Sequence, residues 1–317
     1  MTEEKRIYDN NGGTTGEEES FLPEPDIKSV SKLVLATLIL VLVIGSLAQA
    51  MHFEIGMLIT QWLLILPPSL WFWKRYSINK EQFARIRPLA KKYVPAISLL
   101  VVCAWLLNMF LAVGLVSFLM KFGYQPLEIL PPPDDLRHYL TYLFVIAISA
   151  GVCEEVLFRG TVMPSLERYG ALPALVFSSL LFALFHLTFL NLFSAFILGL
   201  LIGIVVIKTG SILAGIYYHF LNNAIAVTYL YLVADLEPAN TVELGDLHPA
   251  LLVIMVPAFL GLIYALKKIS LHSGSPPIFT RGQRWLPRGW LNVFTVLAMA
   301  IFLLAAFLEM FLGFNMM

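Results

Sequence analysis

The sequence contains little charge for its length. Only 13% of its 317 residues are charged, whereas 59% are hydrophobic, and the mean hydropathy is +0.80. Soluble domains carry about twice that share of charge. These values exclude a soluble globular protein and predict an all-α, polytopic membrane protein. The net charge is zero, so no nucleic-acid partner is indicated.

Cysteine is also scarce, and a common metal-binding signature is missing. Cys103 and Cys153 form neither a CxxC pair nor a metal-type cluster, so we predict no disulfide framework. The chain lacks His-Glu-x-x-His, the zinc signature of a helix. It also lacks a visible internal repeat, which many transporter folds contain.

Apolar stretches make up most of the chain beyond a polar start. Residues 1–30 include the run Glu17-Glu18-Glu19 and are predicted to be a disordered cytosolic tail, followed by a transmembrane domain at 31–317. Each apolar stretch is near the ~20 residues that a helix needs to cross a bilayer. The pattern predicts about nine helices, at residues 31–51, 55–73, 93–120, 138–153 (continuing to about 169), 172–190, 192–207, 211–233, 249–266 and 290–313.

Basic residues predict the orientation of these helices. Lysine and arginine concentrate in the loops after the second and eighth helices, whereas the loop at 234–249 contains four acidic residues and no basic one. Basic loops stay in the cytoplasm. The pattern therefore predicts a cytoplasmic N-terminus and an outward C-terminus. The compact chain has no recognisable eukaryotic sorting signal, so we expect a bacterial inner (cytoplasmic) membrane.

Ionisable and amide side chains interrupt three of the predicted helices. A carboxylate in hydrocarbon costs several kcal/mol unless it is paired, protonated or hydrated. Such groups therefore indicate a functional site. They are Glu154, Glu155 and Arg159 in the fourth helix, His186 in the fifth, and His219 with Asn223 in the seventh.

Helix geometry separates the two glutamates. Glu155 and Arg159 have the i,i+4 spacing and order of a stabilising pair, so we interpret them as structural support. Glu154 points about 100° away from Glu155 and is free to act on water. A desolvated carboxylate is suited to general-base catalysis.

Helix rise predicts that these groups meet at similar depth. Glu154 and His186 each lie roughly 24 Å from the turn near Gly170, and His219 and Asn223 lie roughly 14–20 Å from the turn near Gly210. We expect Glu154, His186, His219 and Asn223 to converge on one cavity that is reached from the cytoplasmic half of the membrane. Histidine and amide donors there suit a developing oxyanion.

Three motifs resemble those of the CAAX protease and bacteriocin-processing (CPBP, Abi) family of intramembrane endopeptidases, which includes the Ras-converting CAAX prenyl protease 2. They are Glu-Glu-x-x-x-Arg at 154–159, Phe-x-x-x-His at 182–186 and His-x-x-x-Asn at 219–223. The resemblance covers about residues 138–233. It implies hydrolysis of membrane-associated protein or peptide substrates at the lipid bilayer.

The resemblance also implies a role for each motif residue. Glu154 would activate water with His186 as its partner, and His219 and Asn223 would form the oxyanion site, with Asn222 a lesser candidate for the amide role. Glu155 and Arg159 would brace the helix. We favour this metal-free mechanism, with no cofactor, over a zinc-dependent one that uses Glu154, His186 and His219 as ligands.

Two further functions remain open at this point. The first is a non-catalytic membrane scaffold or bacteriocin immunity protein, for which Glu154 would be dispensable. The second is a proton-coupled carrier, because buried glutamate, histidine and arginine also serve as proton relays. The missing repeat argues against the carrier.

Overall fold

The computed structural model describes residues 25–126, 130–233, 249–278 and 289–315. Within these ranges the chain is helical and contains no strand, which confirms the all-α fold. Most of the predicted tail and the acidic loop after the seventh helix lie outside the described residues. The division into a tail and a transmembrane domain therefore stays a prediction.

Nine helical segments occur in the described part of the chain. Six of them, the first four, the sixth and the last, are long and apolar enough to cross a membrane. The protein is thus an integral membrane protein. The segments are α1 (Ile27–Met51), α2 (Phe53–Arg75), α3 (Lys91–Met120), α4 (Leu136–Tyr169), α5 (Ala171–Phe185), α6 (Phe189–Thr209), α7 (Ile212–Leu232), α8 (Pro249–Lys268) and α9 (Val293–Phe314).

Helix α4 runs without a break from Leu136 to Tyr169, as the sequence predicts, but its winding varies. Two π-helical turns, Leu143–Ser149 and Phe158–Val162, enclose the α-helical stretch Ala150–Leu157 that contains both glutamates. Widened turns of this kind rotate the side chains that follow them and are frequent at functional sites. Glu154 and Glu155 lie in the α-helical stretch between them and point toward different neighbours.

Helix α5 is shorter than predicted. It ends at Phe185, not near residue 190, and His186 is its C-terminal cap residue. Leu187 has a positive φ of 57°, and α6 begins at Phe189. At about 1.5 Å per residue, 15 residues span roughly 22 Å, so the α5–α6 turn lies within the thickness of a bilayer.

Helices α4 and α7 approach each other closely beside the glutamates. A Cβ atom on Gly151 would lie 3.2 Å from the backbone nitrogen of Phe220. That distance is too short for most side chains, and glycine therefore allows the two backbones to pack directly. This contact brings the second half of α4 against the first half of α7, where His219 lies.

Candidate active site

Glu155 forms the centre of a buried ionic network. Its Oε1 atom accepts one hydrogen bond from Nη1 of Arg159 and another from Nδ1 of His219, both at 2.9 Å. Glu155 and Arg159 have no exposed surface, and His219 is 2% exposed. The predicted pairing of Glu155 with Arg159 thus occurs in the structure. The additional bond to His219 was not predicted, because His219 was expected to work beside Glu154.

Arg159 connects this network to two neighbouring helices. Its Nη2 atom donates to the backbone carbonyl of Gly199 in α6 at 2.9 Å. Its guanidinium carbon lies 4.5 Å from the centre of the Phe182 ring in α5. A desolvated cation over an aromatic face is stabilised by about 2 kcal/mol. The arginine therefore holds α4, α5 and α6 together around Glu155.

A glycine makes room for the buried carboxylate. A Cβ atom on Gly215 of α7 would lie 3.3 Å from Oε2 of Glu155 and 2.6 Å from the Val206 side chain. Among the described residues this Oε2 atom has no hydrogen-bond partner. Any larger residue at position 215 would push α7 away from Glu155 and lengthen the bond to His219.

Glu154 has a different environment from its neighbour. Its Oε1 atom accepts a hydrogen bond of 2.9 Å from Nε2 of Gln61 in α2, and the glutamate is 8% exposed. Gln61 is itself buried at 2% exposure. No described residue donates to Oε2 of Glu154, and the side chain lines a cavity. One oxygen is therefore held in place while the other is available for chemistry.

His186 is oriented by the last turn of α5. Its Nδ1 atom lies 2.9 Å from the backbone carbonyl of Phe182. A carbonyl oxygen can only accept, so Nδ1 carries the hydrogen and a neutral ring keeps its lone pair on Nε2. The Phe182 ring packs edge-on against both histidines, with centroids 4.8 Å from His186 and 5.7 Å from His219.

Asn223 is fixed by two amide contacts. Its Nδ2 atom donates to the backbone carbonyl of Ile146 in α4 at 3.0 Å, and its Oδ1 atom accepts from Nδ2 of Asn222 at 3.1 Å. One hydrogen on Nδ2 remains for another acceptor. Asn222 therefore orients the amide of Asn223, and one of its own two Nδ2 hydrogens is used in doing so.

The four candidate catalytic residues share one cavity of about 660 Å³. Glu154, His186, His219 and Asn223 all line it. The other lining residues lie in the helix halves that are farther from the basic loops, namely the first halves of α2, α4 and α6 and the second halves of α3 and α7. Leu130, in the loop between α3 and α4, also lines the cavity. The cavity therefore extends toward the side opposite to the one expected from the sequence.

The side chains around the cavity meet only part of what a metal ion needs. Ligating histidines normally donate their second ring N–H to a carboxylate or carbonyl, as His219 does to Glu155 and His186 to Phe182. Across the described ranges, however, no group of three His, Cys, Asp or Glu side chains is close enough to hold a metal ion. Glu154, His186 and His219 thus do not form a ready three-ligand site.

Several polar residues of this site were not predicted from the sequence, and besides Gln61 and Asn108 they include Asn191 and Ser194 of α6, which also line the cavity. Gln61 lies far from the three motifs in sequence yet contacts Glu154 directly. Asn108 of α3 lines the cavity, and its buried Oδ1 atom has no partner among the described residues. Both are amides in otherwise apolar helices. The cost of burying an unpaired amide was the signal that could have identified them.

Comparison with protein families supports the motif-based resemblance. Residues 136–225 match the family described as Rce1-like, type II CAAX prenyl endopeptidase Rce1-like. The match confirms the resemblance to the CAAX protease family over helices α4 to α7. It supports a CAAX-type endopeptidase activity on protein substrates at a lipid bilayer. Comparison with curated proteins and with solved structures gives no match.

Proposed function

We propose that the protein is an intramembrane endopeptidase in which Glu154 activates water to hydrolyse a peptide bond of a membrane-associated protein or peptide. One observation carries this proposal. Glu154 has one oxygen held by Gln61 and the other free, in the cavity that it shares with His186, His219 and Asn223. The family match gives the reaction class.

The reaction begins with a water molecule between Glu154 and His186. Glu154 takes one proton from this water through its free oxygen, and the lone pair on Nε2 of His186 accepts a hydrogen bond from the other hydrogen. The water oxygen then forms a bond to the carbonyl carbon of the substrate. The carbonyl oxygen becomes an oxyanion.

His219 and Asn223 stabilise this oxyanion. The free Nδ2 hydrogen of Asn223 is one donor. The second is Nε2–H of a protonated His219, whose other ring nitrogen is already bound to Glu155. This donation uses the imidazolium form of His219, because its Nδ1 hydrogen is already directed at Glu155. Glu154 then transfers its proton to the leaving nitrogen, and the C–N bond breaks.

A bacterial inner membrane is the location that we propose. Cleavage in cells is tested by comparing the N-termini of membrane proteins between wild-type cells and cells carrying Glu154→Ala. We expect precursors to remain uncleaved in the variant. Glu81→Ala, which alters an exposed glutamate in the basic loop, is the matched control and should leave the N-termini unchanged. Identical N-termini in wild type and Glu154→Ala would instead favour the scaffold function.

A further inference from the structure

The cavity beside Glu154 lies entirely toward one end of the helix bundle. In α2 and α7 it reaches Met57, near the start of α2, and Leu230, near the end of α7. In α3 it begins at Trp105 and continues through Ala112 toward the helix end. All of these ends connect to the loops that contain few basic residues. Glu154 and His219, which are 8% and 2% exposed, also line the cavity.

The opposite half of the bundle is filled. Below the glutamates, Val162, Met163 and Leu166 of α4 are completely buried. Val205 and Val206 of α6 are buried to the same extent. A separate recess on this face reaches α4 only at Pro164, Ser165 and Arg168. Neither Glu154 nor His186 lines this recess.

The loop between α2 and α3 also closes this half from outside. The Arg85 guanidinium forms an ion pair with Glu167 at 2.6 Å, next to the α4–α5 turn. The backbone carbonyl of Arg85 accepts from the amide of Ile212, and that of Arg87 accepts from the Ser211 hydroxyl at 2.6 Å. The loop is thereby fastened to the end of α4 and the start of α7.

Charge identifies which side of the membrane each half faces. Of the 21 lysine and arginine residues, only Lys121 and Arg137 flank the helix ends near the cavity, and Arg159 lies within α4. The others belong to the N-terminal part, the opposite helix ends and the loops that join them. Basic residues are retained in the cytoplasm. The closed half is therefore cytoplasmic and the open cavity faces the other side.

We propose that this active site takes its substrate from the extracytoplasmic side, so that the bond it cleaves lies in the outer half of the bilayer, next to an exported segment. The proposal rests on the proposed function for the cleavage step and on the cavity for its direction. The substrates are then membrane-bound proteins or peptides whose processed segment has already crossed the membrane.

Cysteine labelling tests the direction without relying on activity. In a chain with Cys103 and Cys153 changed to alanine, Ala226→Cys places a thiol on the cavity wall, and Gln82→Cys places one on the exposed basic loop. A membrane-impermeant maleimide is applied to right-side-out and to inverted membrane vesicles. Val256→Cys is the lipid-facing control, because this residue is 63% exposed on the apolar surface of α8.

We expect Ala226→Cys to be labelled only in right-side-out vesicles and Gln82→Cys only in inverted ones, with Val256→Cys unlabelled in both. Labelling of Ala226→Cys only in inverted vesicles, or in neither preparation, would overturn the proposal. The N-termini affected by Glu154→Ala then show where the substrates are cleaved. If Ala226→Cys is labelled only in right-side-out vesicles but Glu154→Ala changes no N-terminus, the outward opening of the cavity is supported and the proposed proteolysis is refuted.

Discussion

Replacing Arg159 by methionine removes the cation that compensates the most deeply buried carboxylate. Glu155 would keep only His219 as a partner, the Gly199 carbonyl would lose its side-chain donor, and the contact with the Phe182 ring would be lost. Removing one member of a buried ion pair typically costs about 3–5 kcal/mol. The extra contacts of this arginine place the expected loss of unfolding free energy at the upper end of that range.

Thermal unfolding of the purified protein in detergent measures this loss. Arg159→Met should lower Tm strongly, whereas Lys80→Met, which removes an exposed cation, should change stability by less than about 0.5 kcal/mol. The double variant Glu155→Leu/Arg159→Met should recover most of the stability, because replacing both buried charges by apolar groups is often neutral. It should remain inactive, since His219 loses its carboxylate partner. Wild-type stability in the single variant would refute the role that we assign to the network.

Three further outcomes are expected. Gln61→Met should lower kcat by about 10–100-fold, the equivalent of one lost charge-assisted bond to Glu154, without raising KM. Gln49→Met, which loses a bond to the Thr60 hydroxyl in α2, should keep full activity. Glu309→Leu should lower the unfolding free energy by about 1 kcal/mol and slow cleavage, because Glu309 accepts from the amide of Phe189 and holds the turn that follows His186. Glu309→Gln keeps an acceptor, so it should reduce both stability and cleavage less. Chelator treatment should leave cleavage intact, and a lasting loss that zinc reverses would support the zinc-dependent alternative.

The sequence predicted the helices and the ionic pair well because both depend on local spacing. Apolar stretches of about 20 residues mark the helices, and the i,i+4 spacing of Glu155 and Arg159 determines their contact. The same reliance on local hydropathy placed the predicted end of α5 too late. Leu187, Phe189 and Leu190 continue the apolar pattern past His186, so hydropathy hides the turn.

Contacts between distant helices could not be predicted in this way. Helix rise gave the depth of His219 only approximately, and one residue along α4 changes the direction of a side chain by about 100°. That rotation decides whether His219 meets Glu154 or Glu155. The Gln61–Glu154 bond joins residues 93 positions apart, and the side on which the cavity opens depends on how tightly each half packs.

Glu154→Gln is the most direct test of the proposed hydrolysis. Glutamine keeps the size and shape of the side chain but cannot take a proton from water at neutral pH. The measurement is cleavage of a precursor identified in the N-terminal comparison, by purified wild-type and variant protein in lipid vesicles. We predict that Glu154→Gln unfolds at the wild-type temperature and releases no product. Product release at a rate near that of the wild type would contradict the assignment of Glu154 as the water-activating base.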